Sequence, residues 1–585
     1  MAGAGWQIGG MTEPIAGTDP MKFRTILRTA LCCALFRGAA LCAQPAPPVA
    51  GDELLGIWGA EPILGPQVRG ELLLQSQGRH WTSRVGGFEA GAEQVGDAVT
   101  LALPGGQGTL RVWTTSGTPE AFWIQAAGLG APYATPVRLR AAGHGLWRGH
   151  LAPVDEPFPL YLVVTREPDG TLRGFLRNPT QNWPGRAPYY RLALDGDSVT
   201  FTSPETAKLQ WRQPYDPLQR SISFNFGVPV VLTRRSTGQA VGLTPRSAGL
   251  PQYSYRSPVD LDDGWRVSDP ASVAVDSGAL EAIVRQLHSA DPLSAASPRL
   301  HALLVARRGQ LVLEEYFRGY AHDAPHDLRS ASKSITSIMV GAAIHHGAAL
   351  DSGTALAGGA ITLGNLLTHS SGLACDDDDD ASPGNEDTMQ AQTAQPDWYA
   401  YFMALPQVHA PGTRYAYCSA GVNMVGQMLG KSTGLWLPRM FDSFLARPMQ
   451  FADYGINLMP SGEAYSGGGM HLLPRDFLKF GQLYLDGGLW HGKRLVSAAW
   501  VRESTAHQIA RADGSDDGFG WHRHTLAVGA RRFQTYEASG NGGQFLVVVP
   551  ALQLAVVVTA GNYGEYPVWQ KIRQELIPAI MGAMR

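Results

Sequence analysis

Two kinds of hydrophobic pattern divide the chain. From about residue 52 to 235, apolar and polar residues alternate in short runs broken by glycine-rich turns, as in LYLVVTREPDGTLRGFLRN, where Asp169-Gly170 separates two strand-like segments. This predicts an all-β region, and a closed barrel or a sandwich is the natural way to hide its sheet edges. Its tryptophans read as packing for that core. GIW at 56–58 and GLW at 145–147, with RGEL at 69–72 and RGFL at 173–176, suggest a weak internal duplication. Residues 236–270 lose periodicity and gather Gly, Pro and Ser, which suits an interdomain crossing.

From residue 271 onward the pattern changes. Residues 276–289 read as a helix, and LHALLVARRGQLVLEEYFRGY reads as a hairpin turning at Arg308-Gly309. QFLVVVPALQLAVVVTAG supplies two more strands and VWQKIRQELIPAIMGAMR a terminal helix. Strands at both ends with helices between them predict an α+β domain: an antiparallel sheet assembled from distant segments, flanked by helices and carrying a helical insertion. Within it, residues 329–347, RSASKSITSIMVGAAIHHG, place Ile335, Ile338, Met339 and Ala342 on one face of a helix that Gly347 ends.

That helix carries the candidate chemistry. Ser330 and Lys333 are three residues apart and so share a face, which lets the amine reach the hydroxyl. A serine hydroxyl needs a neighbouring base to become a nucleophile, and lysine serves where burial or another cation lowers its pKa. Tyr417, in PGTRYAYCS, precedes a predicted helix and is a candidate proton relay to a leaving group.

Composition narrows the alternatives. The 585 residues exceed a single core, 44% are hydrophobic and 17% charged, and the formal charge of −3 gives no reason to expect a nucleic-acid partner. No metal or organic cofactor is implied. Residues 1–43 read as a leader: Lys22, Arg24 and Arg28 precede an apolar run that ends in small residues. The run is too short for a membrane span, so an exported protein, periplasmic or secreted and without a stable span once the leader is removed, is expected, with a retained amino-terminal anchor as the alternative. Cys32, Cys33 and Cys42 fall in the leader, leaving Cys375 and Cys418 either as a disulfide joining two loops or as two free buried thiols.

Other features rank lower. GKSTG at 430–434 follows a helix, so it reads as a helix stop rather than a nucleophile elbow. The run Asp376 to Asp380 reads as a solvated loop near the cleft, His345 and His346 as complements to a helix carboxyl end, and His369 as structural.

Taken together, SASK followed by SITS at 330–337, LLTHSSGL at 366–373, YCS at 417–419, SGGGMHLLPRDFLKFGQLYLDGG at 466–488 and GNGGQ at 540–544 resemble, in that order, the beta-lactamase-related serine hydrolases. These include class C beta-lactamases, D,D-peptidases, family VIII esterases and 6-aminohexanoate-dimer hydrolases. The resemblance spans roughly residues 260–585. It implies a serine beta-lactamase-like fold, Ser330 as acylated nucleophile, Lys333 as its base and Tyr417 as relay, with a small-molecule ester or amide as substrate. It also implies an oxyanion-binding segment at Gly540, Asn541 and Gly542, with the Asn541 amide the first choice of donor. Ser419, counted among the substrate-binding residues, stands where the family usually has Asn, and the third segment reads ASGNGGQ where penicillin-recognising members have Lys-Thr-Gly. The ending is more similar to the esterase and 6-aminohexanoate-dimer hydrolase branch. A D,D-peptidase or beta-lactamase acting on cell-wall-type amides, or a penicillin sensor that does not turn over, is the alternative.

Overall fold

The computed structural model describes residues 51–585 apart from 115–116, 127–130, 186 and 248. The expected leader and its three cysteines lie outside the described residues. None of the described helices is long and apolar enough to cross a membrane.

Eight antiparallel strands close into a barrel: Gly56–Ala60, Leu160–Arg166, Leu172–Arg177, Tyr189–Asp195, Ser198–Thr202, Leu209–Asp216, Ser221–Asn225 and Pro229–Arg235. The last pairs with the first at Ile57 and Arg235, so no edge is left open. Alternation sends Trp58, Leu162, Phe201, Ile222 and Leu232 into the interior, each fully buried.

The barrel takes one strand from before residue 61 and seven from after residue 159. What lies between builds separate sheets. Gly70–Gln77, His80–Val85, Phe88–Glu93, Arg140–Gly143 and Leu146–Leu151 form one of five strands. Tyr133–Val137 ends a further run and pairs with Tyr454–Asn457 of the carboxy-terminal region, Ala134 opposite Ile456. This sheet continues through Met470–Leu472 to His326–Asp327, three residues before Ser330. The suggested duplication does not correspond to the architecture, because Trp58 belongs to the barrel and Trp147 to the five-stranded sheet, where it stacks on Trp81.

The hydrolase-like region is a three-layer sandwich around a nine-stranded sheet. An interior pair, Leu300–Arg307 and Leu554–Ala560, joins segments far apart in the chain, with Val305 opposite Val556. Both faces are covered, which is why these strands read as continuous apolar runs. Leu303, Val305, Val547 and Val556 pack under the Ser277–His288 helix and the terminal helix, while Leu304, Leu546 and Val557 pack under Ser332–His345 and Pro474–Leu485. The hairpin turns where expected, with positive φ at both Arg308 (51°) and Gly309 (75°).

The helix at 329–347 differs from a one-faced amphipathic reading. One tight turn, Arg329–Ala331, leads into the α-helix Ser332–His345, whose residues 332–343 are all buried. Three of the polar members find partners inside: Ser334 Oγ donates to Gly520 O at 2.5 Å, Thr336 Oγ1 donates to Ser466 O at 2.8 Å, and Ser332 Oγ accepts from Met470 N at 3.1 Å. GKSTG is indeed the end of a helix, Ser419–Thr433, with Gly434 in the left-handed conformation as its cap.

Candidate active site

Ser330 sits on the tight turn, half-buried at the floor of a cleft lined also by Lys333, His369, Asp517 and His522. The residue before it, Arg329, has a left-handed φ of 48°. Asp327 holds that conformation: it accepts from Arg329 N at 2.9 Å and ion-pairs with the guanidinium at 2.7 Å. Lys333 is buried, and its Nζ lies 3.0 Å from Ser330 Oγ. Tyr417 approaches from a separate segment: Lys333 Nζ lies 4.9 Å from the centre of its ring, and its hydroxyl is close enough to the Ser330 hydroxyl and the Lys333 amine for both to pull its pKa down. The structure thus brings Ser330, Lys333 and Tyr417 together.

No strand forms at 413–417; the extended segment is laced to the 369–377 loop instead. Ala416 N donates to His369 O at 2.8 Å, Cys418 N to His369 Nδ1 at 3.1 Å, and Asp377 N to Tyr417 O at 2.7 Å. The His369 ring lies 4.5 Å from that of Tyr417. Burial, with Lys333 nearby, pushes this histidine down to about 3, so it stays neutral and its Nδ1 is free to accept. Cys375 and Cys418 are disulfide-bonded, and Cys418 Sγ also accepts from Gly421 N at the start of the following helix. Sequence left both bonded and free thiols open.

Asp377 and Glu386 are the site residues that sequence reasoning missed. Asp378, Asp379 and Asp380 are exposed, as a solvated loop should be, but Asp377 turns inward. Its carboxylate accepts from Ser419 N at 2.7 Å and Glu386 N at 2.8 Å. Glu386 accepts in turn from Tyr465 OH at 2.6 Å and Ser419 Oγ at 3.2 Å. Ser419, expected among the substrate-binding residues, is therefore fully buried and engaged with this acidic pair. The only sequence signal was the position of the aspartates, directly after a cysteine that could tie the loop to Tyr417.

These carboxylates overturn one electrostatic expectation. Burial pulls the Lys333 amine down, but Tyr417, Glu386 and Asp377 outweigh it and hold its pKa above the ordinary lysine value. Tyr417 is also raised, by burial, with Lys333 only partly offsetting it. The resting pair is therefore an ammonium and a neutral phenol. Burial and then Glu386 push Asp377 up to about 7, against the pull of Lys333 and the Ser419 hydrogen bonds.

The third segment closes the site from the other side. Arg531–Gly540 pairs with His522–Val528 only as far as Glu537, so Ala538, Ser539 and Gly540 run past the end of that neighbour. The strand is interior to the sheet, and only this overhang resembles an edge. Gly540 backs onto the Ser330 turn so closely that a Cβ would stand 2.2 Å from Leu328 O and 3.1 Å from Ala331 N, which is why glycine is needed there. Asn541 follows, its side-chain oxygen accepting from Gly564 N at 2.9 Å. Gly542 and Gly543 have φ near 99° and 98°, and Gly542 O accepts from Asn562 N at 3.0 Å. Among the described residues no group of three or more His, Cys, Asp or Glu side chains is arranged to hold a metal ion.

Residues 295–570 match the sequence profile of the Beta-lactamase family. A curated relative, a 6-aminohexanoate-dimer hydrolase of Paenarthrobacter ureafaciens, is 28% identical over 231 residues, covering 36% of this chain. The match spans 58% of that relative's length. Among solved structures, a penicillin-binding protein homologue from Caulobacter crescentus is 14% identical with a TM-score of 0.42, covering 52% of this chain and 97% of its own. A family VIII carboxylesterase is 16% identical with a TM-score of 0.41, covering 55% and 98%. Over residues 295–570 the chain is therefore similar in sequence to the Beta-lactamase family and, in part, to a 6-aminohexanoate-dimer hydrolase.

Proposed function

We propose that the protein is a serine hydrolase that cleaves an ester or amide bond through an acyl-enzyme. The observation that carries this reading is the 3.0 Å approach of Lys333 Nζ to Ser330 Oγ, with the Tyr417 ring 4.9 Å from the same amine. The working form is the Lys333/Tyr417 pair short of one proton, because an ammonium and a phenol together leave nowhere for the serine proton to go. Ser330 attacks the carbonyl, its proton enters that pair, and Tyr417 returns a proton to the leaving alcohol or amine. Water then attacks the acyl-enzyme by the same route reversed. The Ser330 and Asn541 backbone amides are the proposed oxyanion donors, the close approach of Gly540 to the Ser330 turn supporting that role.

The esterase and 6-aminohexanoate-dimer hydrolase branch is the favoured class. Residues 536–545 carry no cation for a penicillin carboxylate, and Arg329, one residue before Ser330, is engaged by Asp327 and lies over the Tyr563 ring at 5.0 Å. The disulfide supports export to an oxidising compartment.

Intact mass after a fluorophosphonate probe tests the mechanism. One adduct is expected on the parent and none on Ser330→Ala or Lys333→Met, and turnover of short p-nitrophenyl esters and linear amides should exceed that of a chromogenic cephalosporin. Equal labelling of Ser330→Ala would remove the nucleophile assignment, and preferential cephalosporin turnover would move the chain to the beta-lactamase alternative.

A further inference from the structure

We infer that Asn182, on a loop of the amino-terminal barrel, is a positioning residue for the proposed oxyanion turn at 540–543. This rests on the acyl-enzyme reading of Ser330. The loop between the Leu172–Arg177 and Tyr189–Asp195 strands leaves the barrel and meets residues 561–565 of the hydrolase region. Asn182 is 4% exposed and has a left-handed φ of 53°. Its side-chain oxygen accepts from both Arg177 Nη1 and Arg299 Nη2, and its Nδ2 donates to Tyr563 O. Two guanidinium donors on one side fix which amide atom is oxygen, so the N–H must face Tyr563. The anchor is firm: Glu565 binds Arg299 at 2.9 Å and reaches Arg177 at 3.7 Å, all three side chains being buried.

From Tyr563 the contacts continue to the reacting serine. The neighbouring Asn562 donates its N–H to Gly542 O at 3.0 Å, and Gly564 donates to Asn541 Oδ1 at 2.9 Å. The Tyr563 ring lies so near Gly542 that a Cβ there would stand 2.7 Å from it, and the Arg329 guanidinium covers the same ring. Behind this, Pro179 O of the barrel loop would be 2.2 Å from a Cβ at Gly561. Residues 561–565 are thus held between the barrel loop and the 540–543 turn. An oxyanion donor works only while it stays aimed at where charge develops, so a prop behind the turn acts on the chemical step and not on substrate capture.

Asn182→Asp isolates the link. Aspartate keeps an acceptor for both arginines, and so keeps the anchor, but removes the N–H to Tyr563 O and sets two oxygens against each other. On a p-nitrophenyl ester, kcat should fall roughly tenfold, a fraction of the loss on deleting an oxyanion donor outright. KM should change less than about threefold. The urea unfolding midpoint should be unchanged or raised, and amide exchange at 540–543 and 561–565 should quicken. A parental kcat, or a loss of kcat that only tracks a lower midpoint, overturns the inference. Failure of the acyl-enzyme reading itself would be seen separately, as activity surviving Ser330→Ala.

Discussion

Replacing Cys375 and Cys418 together with serine tests how far the Tyr417 segment depends on being tied to its neighbouring loop. The bonded residues are separated by 43 positions, and closing a loop of that length removes denatured-state freedom equivalent to about 4 kcal/mol. Serine at 418 still offers an oxygen to Gly421 N, so the helix cap survives and the loss is that of the cross-link. The remaining ties on Tyr417 are single hydrogen bonds from the 369–377 loop, each contributing about 1 kcal/mol. The double variant should therefore unfold at lower urea, with a loss approaching that figure in the transition that reports on the hydrolase region. Its kcat for a p-nitrophenyl ester should fall between about tenfold and a hundredfold, the effect of a displacement near 1 Å at a reacting group. Urea titration followed by tryptophan fluorescence, alongside steady-state kinetics under non-reducing conditions, measures both. A double variant with parental kcat and a stability loss under about 1 kcal/mol would refute the reasoning, because the loop would then be holding Tyr417 without the bond.

Two further substitutions concern charge and space. Asp377→Asn keeps an acceptor for Ser419 N but removes the negative charge that helps retain the proton on Lys333, so the alkaline-rising limb of kcat/KM should move to lower pH; an unmoved limb counts against the acidic pair. The same substitution bears on stability: folding raises the Asp377 pKa from its ordinary 3.8 to about 7, so its contribution is present below the lower value and lost as pH rises through the upper. The parent should therefore lose stability across that window relative to the variant in pH-dependent melting. Gly540→Ala sets a methyl 2.2 Å from Leu328 O, which must push the strand from the Ser330 turn; a stability loss of about 1–3 kcal/mol and a kcat reduced at least a hundredfold are expected, and wild-type kinetics would show that the close approach is not needed.

What the sequence disclosed followed the range of the interactions involved. Ser330 and Lys333 were legible as a pair because helical geometry is local, and one turn fixes their separation whatever surrounds them. Tyr417 was read as a candidate proton relay at a helix junction, and the family resemblance then tied it to Ser330 and Lys333. Asp377 was hidden, since a run of five aspartates does not say which one faces inward. That is decided by Ser419 and Glu386, 42 and 9 residues away. The charge state of Lys333 was misjudged for the same reason: its burial was foreseeable, whereas the carboxylates opposing the effect of burial arrive from another loop. The barrel was legible as an all-β region from alternation, but nothing in Tyr133–Val137 announces Tyr454–Asn457 as its partner, because strand pairing depends on topology more than on composition.

That pairing bears on how the protein can be taken apart. With Tyr133–Val137 gone, a fragment starting near residue 236 would offer the bare backbone of Tyr454–Asn457 to the next copy it met, and clumping would precede any measurement of activity. Transplanting residues 236–585 into another architecture accordingly requires carrying along a ribbon translated well before them.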